Sequence, residues 1–157
     1  MRSVVVASVI SCALLSSTTA QTKPDFSGTW RFDPTRSDSA TYPELSRPVT
    51  LVITQTATAV RIDTTRKSGT TSEVAKFGSN EPLTVLGAAT ARWRGETLLV
   101  DIIRDIQGQS VTVHQEMTLS ADGRELVVES TVNVQHGYSV GGAKVYGAGK
   151  DTFIRAQ

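Results

Sequence analysis

The sequence predicts an all-β fold, an antiparallel up-and-down (meander) β-barrel of eight to ten strands. Three observations carry this prediction. Apolar residues alternate in short runs, punctuated about every eight to twelve residues by Gly, Asp or Ser pairs. Pairing those runs across their turns keeps the apolar residues on one continuous face. No segment carries the spacing of an amphipathic helix that could cover the other side.

The runs are residues 26–32, 48–55, 59–66, 71–77, 82–86, 88–94, 96–105, 109–120, 124–134 and 149–155. In the second run Val49, Leu51 and Ile53 share a face; Val60 and Ile62 do so in the third, Ala75 and Phe77 in the fourth. Residues opposite one another in a hairpin lie on the same side of the sheet, so each turn tests the assignment. A turn at Thr56-Ala57 pairs Ile53 with Val60, and one at Ser68-Gly69 pairs Ile62 with Ala75. A turn at Arg94-Gly95 pairs Ala91 with Leu98, and one at Gln107-Gly108 pairs Ile102 with Val113. Asp122-Gly123, the strongest hairpin signal, pairs Leu119 with Leu126, Met117 with Val128 and Val113 with Val132.

The opposite face carries Asp101, Asp105, Thr112, His114, Glu116, Glu129, Thr131 and Asn133, with Glu116 across from Glu129, and is expected to face water. A long sheet with one wet face curls, and closing it removes its edges. A purely antiparallel closure needs an even strand count: ten if "PLTVL" (82–86) is a strand, eight if it is loop and the last run pairs differently. Pro48 and Pro82 stand at strand starts, where a missing N–H does least harm.

Residues 1–20, "MRSVVVASVISCALLSSTTA", have a basic start, an apolar stretch from Val4 to Leu15 and a small polar end, the layout of a secretory signal peptide cleaved near Ala20. The apolar stretch is shorter than the roughly 18 residues that span a bilayer. Cys12 follows "VIS", similar to the box before a lipidated cysteine. Cutting there leaves too little apolar core ahead of it and argues against a lipid anchor. A secreted or periplasmic chain of residues 21–157 is therefore expected, a single barrel domain with no cysteine and no stable membrane insertion. Arg2 is the only charged residue of the first twenty, and without it the remaining basic residues equal the 15 acidic ones. Such neutrality argues against nucleic acid as a partner.

"FSGTW" (Phe26 to Trp30) resembles the Gly-x-Trp opening of the lipocalins and the wider calycin group, and "FIRAQ" places Arg155 in the last run. "PDFSGTW" followed by "DPTRSD" is also similar to small exported bacterial proteins grouped as lipocalin-like. The resemblance implies that Trp30 packs beneath the closed end of the barrel with Arg155 across its indole. It also implies that Gly28 allows their close approach.

Five polar residues fall on the apolar face: Thr64, Glu73, Arg104, Gln115 and Ser130. Gln115 is opposite Ser130, with Val100 on its other side. Either the two satisfy one another, or they anchor a ligand in a cavity otherwise lined by Trp93, Ile102, Val113 and Val128. The expected ligand-binding set is accordingly Trp93, Val100, Ile102, Arg104, Val113, Gln115, Val128 and Ser130, for a small and mostly apolar molecule. Thr64, Glu73 and Arg104 gather at one end, beside the connection 33–47 and the Gly-rich stretch 136–150, where a mouth is expected. His114 falls on the outer face and His136 in a loop, with no ligand spacing, nucleophile elbow or interior carboxylate pair, so no metal, cofactor or catalytic residue is expected. Two alternatives stay open: a barrel filled by its own side chains that works through its surface, and a barrel-type hydrolase or isomerase.

Overall fold

The computed structural model describes residues 23–78, 87–106, 108–134 and 148–157. Residues 1–20, Pro82 with the "PLTVL" run, His136 and most of the Gly-rich stretch lie outside the described residues.

Among the described residues nine strands close into one barrel in sequence order: β1 (Gly28–Phe32), β2 (Pro48–Gln55), β3 (Ala59–Arg66), β4 (Gly69–Phe77), β5 (Ala89–Arg94), β6 (Thr97–Ile106), β7 (Gln109–Leu119), β8 (Glu125–Val134) and β9 (Ala148–Arg155). The expectation that closure needs an even count is corrected by a single junction. β4 and β5 run parallel, with Lys76 opposite Thr90 and Phe77 opposite Ala91. One parallel pair shifts the alternation of directions by one, so β9 still meets β1 antiparallel, with Trp30 opposite Arg155.

The faces follow the period-2 reading except at the start of β2, where an irregularity between Pro48 and Thr50 buries Pro48 and turns Val49, expected beside Leu51 and Ile53, out to 45% exposure. Two of the five hairpins have the expected register: Ile102 opposite Val113, and Leu119 opposite Leu126. The other three slide by one turn position, so that Ile53 meets Ile62, Val60 meets Ala75 and Ala91 meets Val100. Because moving a turn by one position shifts the partner by two residues, these slides leave side chains on their faces. The reasons are local. Thr56 Oγ1 accepts from the backbone N–H groups of Thr58 (3.4 Å) and Ala59 (3.1 Å), which centres the first loop on Ala57-Thr58. Gly95 has φ +62° and takes the first central position of its turn, where tight hairpin turns demand positive φ.

The outer face is less uniformly wet than expected. Glu116 and Glu129 are opposite one another, and each takes a cation: Arg94 Nη1 donates to Glu116 at 3.1 Å, and Lys150 Nζ lies 3.5 Å from Glu129. Asp101 and Thr112, however, are buried, as are Leu99 and Ile103 on the same side of β6. A buried carboxylate requires partners, and Asp101 has two, Arg92 Nη1 and His114 Nδ1.

The core is concentrated at one end. Trp30 and Phe26 are fully buried, and the indole N–H of Trp30 donates to the Phe26 carbonyl at 3.0 Å. Trp93 stacks on Phe77 (centroids 5.7 Å apart, planes at 12°) and tilts against Phe26 at 6.0 Å. The Arg155 guanidinium lies 4.1 Å from the Trp30 ring centroid. It is held there by donating from Nε to Gly123 O (2.8 Å) and from Nη1 to Ser27 O (2.7 Å). Such a desolvated cation–π contact contributes about 2 kcal/mol. Gly28 has φ +141°, and a Cβ there would stand 2.6 Å from Arg155 Nη1. Gly28→Ala is therefore expected to lower stability by about 1 to 3 kcal/mol, from backbone strain and the displaced guanidinium. Urea unfolding of the variant checks this, and an unchanged midpoint contradicts the closure described.

Candidate ligand site at the open end

At the end opposite Trp30 the interior face turns polar. Period-2 geometry brings Thr64 and Arg66 of β3 inward, with Glu73 of β4, Arg104 of β6, Gln115 of β7, Ser130 of β8 and Asp151 of β9. Two contiguous cavities lie among them. The inner one, about 50 Å3, is bounded below by Leu51, Ile62, Met117, Val128 and Phe153. The outer one, about 210 Å3, continues past Tyr42, Val113 and Val132 to the rim. Pro48, Arg66, Arg104, Gln115, Ser130 and Asp151 line both.

Of the residues expected to form a ligand site, Arg104, Val113, Gln115, Val128 and Ser130 line these cavities. Trp93, Val100 and Ile102 do not. Val100 and Ile102 are buried in the core, and Trp93 sits in the aromatic cluster at the closed end. Alternation reveals which side of the sheet a residue faces but not how far along the barrel axis it sits, and these three point inward where the barrel is already full. Arg66 and Asp151 were missed. Extending the alternation Ile62, Thr64 by one step reaches Arg66, and stepping back from Arg155 and Phe153 reaches Asp151.

The charges are unevenly paired. Arg104 Nη2 donates to Glu73 Oε1 at 2.8 Å, and the Glu73 side chain is only 10% exposed. Glu73 Oε2 and Arg104 Nε are both buried without a hydrogen-bond partner among the described residues. Asp151 accepts from Ser39 at both oxygens, from the backbone N–H at 3.0 Å and the hydroxyl at 2.6 Å. Arg66 donates to the neutral Thr71 hydroxyl at 3.1 Å. Burial, and then the neighbouring positive charge of Arg104, lower the Arg66 pKa.

The connection between β1 and β2 is strapped over this end. It holds two short 3-10 turns, Pro34–Arg36 and Asp38–Thr41. Ser37 Oγ accepts from Thr152 N–H (2.8 Å), Asp38 accepts from Lys150 N–H (2.8 Å), and Ser39 binds Asp151. The strap starts at Asp33, which accepts from Thr35 Oγ1 (2.6 Å), Thr35 N–H (2.9 Å) and Arg36 Nε (2.8 Å). The Thr35 hydroxyl first, then Arg36, hold the Asp33 carboxyl at about 2, below its ordinary value. Because the folded value is depressed, the stabilisation from ionised Asp33 is present above its ordinary pKa of about 4 and is lost as pH falls through about 2. An NMR titration of the Asp33 carboxyl carbon is expected to give a midpoint near 2; one near 4 contradicts the cap.

On the outer face Asn133 Nδ2 lies 3.0 Å from His114 Nε2, and His114 Nδ1 contacts Asp101. Among the described residues no cluster of three metal-ligating side chains occurs.

No family model matches the sequence, and no curated protein is similar to it at a significant level. Solved structures are similar to it. Human cRBP IV superposes with a TM-score of 0.52 at 19% identity, over 85% of this chain and 99% of that one. Echinococcus granulosus fatty-acid-binding protein 1 gives 0.45 at 13% identity, over 84% and 98%. The first of these shares the closed β-barrel fold of this chain.

Proposed function

We propose that this barrel binds a small molecule at its open end. The apolar part of the ligand enters among Leu51, Ile62, Met117, Val128 and Phe153, and its polar part stays among Arg66, Arg104, Gln115 and Ser130. The observation that carries this reading is the shared lining of the two cavities. A hollow with an apolar floor and a few convergent polar groups on its wall is the ordinary form of a small-molecule site. The strap from Ser37 to Tyr42 borders it and supplies one wall. The layout of residues 1–20 supports export, and the proposed place of action is periplasmic or extracellular.

A second reading, a barrel filled by its own side chains and acting through its surface, is favoured by one observation. The inner cavity, about 50 Å3, holds little more than one or two waters. Under the first reading the strap must yield, or the ligand must sit mainly in the outer cavity.

Native mass spectrometry of the mature protein purified from its own host separates the two. The binding reading predicts a discrete non-covalent adduct that disappears in Val128→Trp, a variant that fills the cavity floor and keeps the wild-type circular dichroism. Absence of any adduct, with no apolar or amphipathic probe shifting the tryptophan fluorescence, contradicts it.

A further inference from the structure

We propose that the ligand of the open-end cavity is a compact monocarboxylic acid and that Arg66 receives its carboxylate. This rests on the reading that the cavity is the binding site, and it goes further by naming the chemical class and the receptor group.

Arg66, Arg104 and Asp151 line the cavity and Glu73 is bonded to Arg104; three of these four charged side chains have ordered partners that suit their charge. Glu73 and Arg104 pair with one another, and Asp151 takes two donors from Ser39. Arg66 is the exception. It is partly buried on the cavity wall, and among the described residues it forms no ion pair and bonds only the uncharged Thr71 hydroxyl. Glu73 and Asp151 act on Arg66 through space but bond Arg104 and Ser39 instead, which leaves its fork of donors with no anion bonded to it, and that planar fork matches a carboxylate in two parallel bonds. A second observation points the same way. Arg104 lines the same cavity wall, so an anion seated at Arg66 meets the field of a second guanidinium, itself bonded to Glu73. Gln115 and Ser130 line the cavity beside them and can donate to the same group.

Charge and size narrow the class. Glu73 and Asp151 fix two negative charges around the site, which disfavours a dianion such as phosphate or a dicarboxylate. Cavities of about 50 and 210 Å3 fall below the roughly 300 to 1,000 Å3 of sites for drug-sized ligands. Below them the barrel is occupied by Trp30, Phe26, Leu98, Val100 and Met117. A ring or short chain fits the space; an extended long-chain lipid does not.

Isothermal titration calorimetry on the mature protein tests this with benzoate and hexanoate, their matched alcohols, succinate, inorganic phosphate and palmitate. The expected result is that the two monocarboxylates bind, and that the alcohols bind roughly tenfold to a hundredfold more weakly, the size of lost charge-assisted hydrogen bonds. Succinate, phosphate and palmitate are expected to bind more weakly still. Arg66→Gln, shown to be folded by its unchanged melting curve, is expected to reduce acid binding by the same factor and leave alcohol binding alone. Arg66→Lys should recover part of it. Equal affinity for acid and alcohol, or acid binding unmoved in Arg66→Gln, overturns the assignment of class and receptor while leaving the binding reading standing. Failure of acids and alcohols alike to bind overturns the binding reading, and this proposal with it.

Discussion

Everything in this molecule depends on the closure of its sheet. A strand edge left open presents unpaired N–H and C=O groups, and a ring of strands leaves none. Nine strands close because β4 and β5 run parallel, which lets β9 return antiparallel to β1 and brings Arg155 opposite Trp30. Closure fixes the perimeter, and the perimeter fixes how much side-chain volume the interior can hold. Once that volume is set, the only freedom left to the sequence is how to distribute its bulk along the axis.

The distribution is lopsided. Trp30, Phe26, Trp93 and Phe77 occupy the closed end, and the indole–guanidinium contact seals it. Toward the other end the same inward positions carry Thr64, Arg66, Glu73, Arg104, Gln115, Ser130 and Asp151, which are polar and pack less densely. The strap from Asp33 to Tyr42 lies against this polar end and is tied to β9 through Ser37, Asp38 and Ser39. Strap, charged wall and cavity are thus consequences of one choice, bulk at the bottom and charge at the top.

That choice was only partly legible in the sequence. Alternation specified the faces, and it survived three misplaced turns because a turn moved by one position changes a partner by two residues. The barrel class and the facing of Gln115 and Ser130 followed from that parity. Height along the axis did not, since it depends on strand tilt and on where aromatic volume accumulates; Trp93, Val100 and Ile102 were therefore assigned to a cavity that lies above them. Arg66 and Asp151 were within reach of the same parity rule. The burial of Asp101 was not, because it depends on Arg92 and His114 folding over it from neighbouring strands.

The central claim is that the barrel is solid at the Trp30 end and hollow, with a charged wall, at the other. A high-resolution crystal structure of residues 21–157 under xenon pressure tests it directly, because xenon enters dry apolar voids and ordered water enters polar ones. The account predicts ordered water among Arg66, Arg104, Gln115 and Ser130 and no xenon between Trp93 and Ile102. A xenon atom in the closed half, with the polar end packed shut, would contradict it.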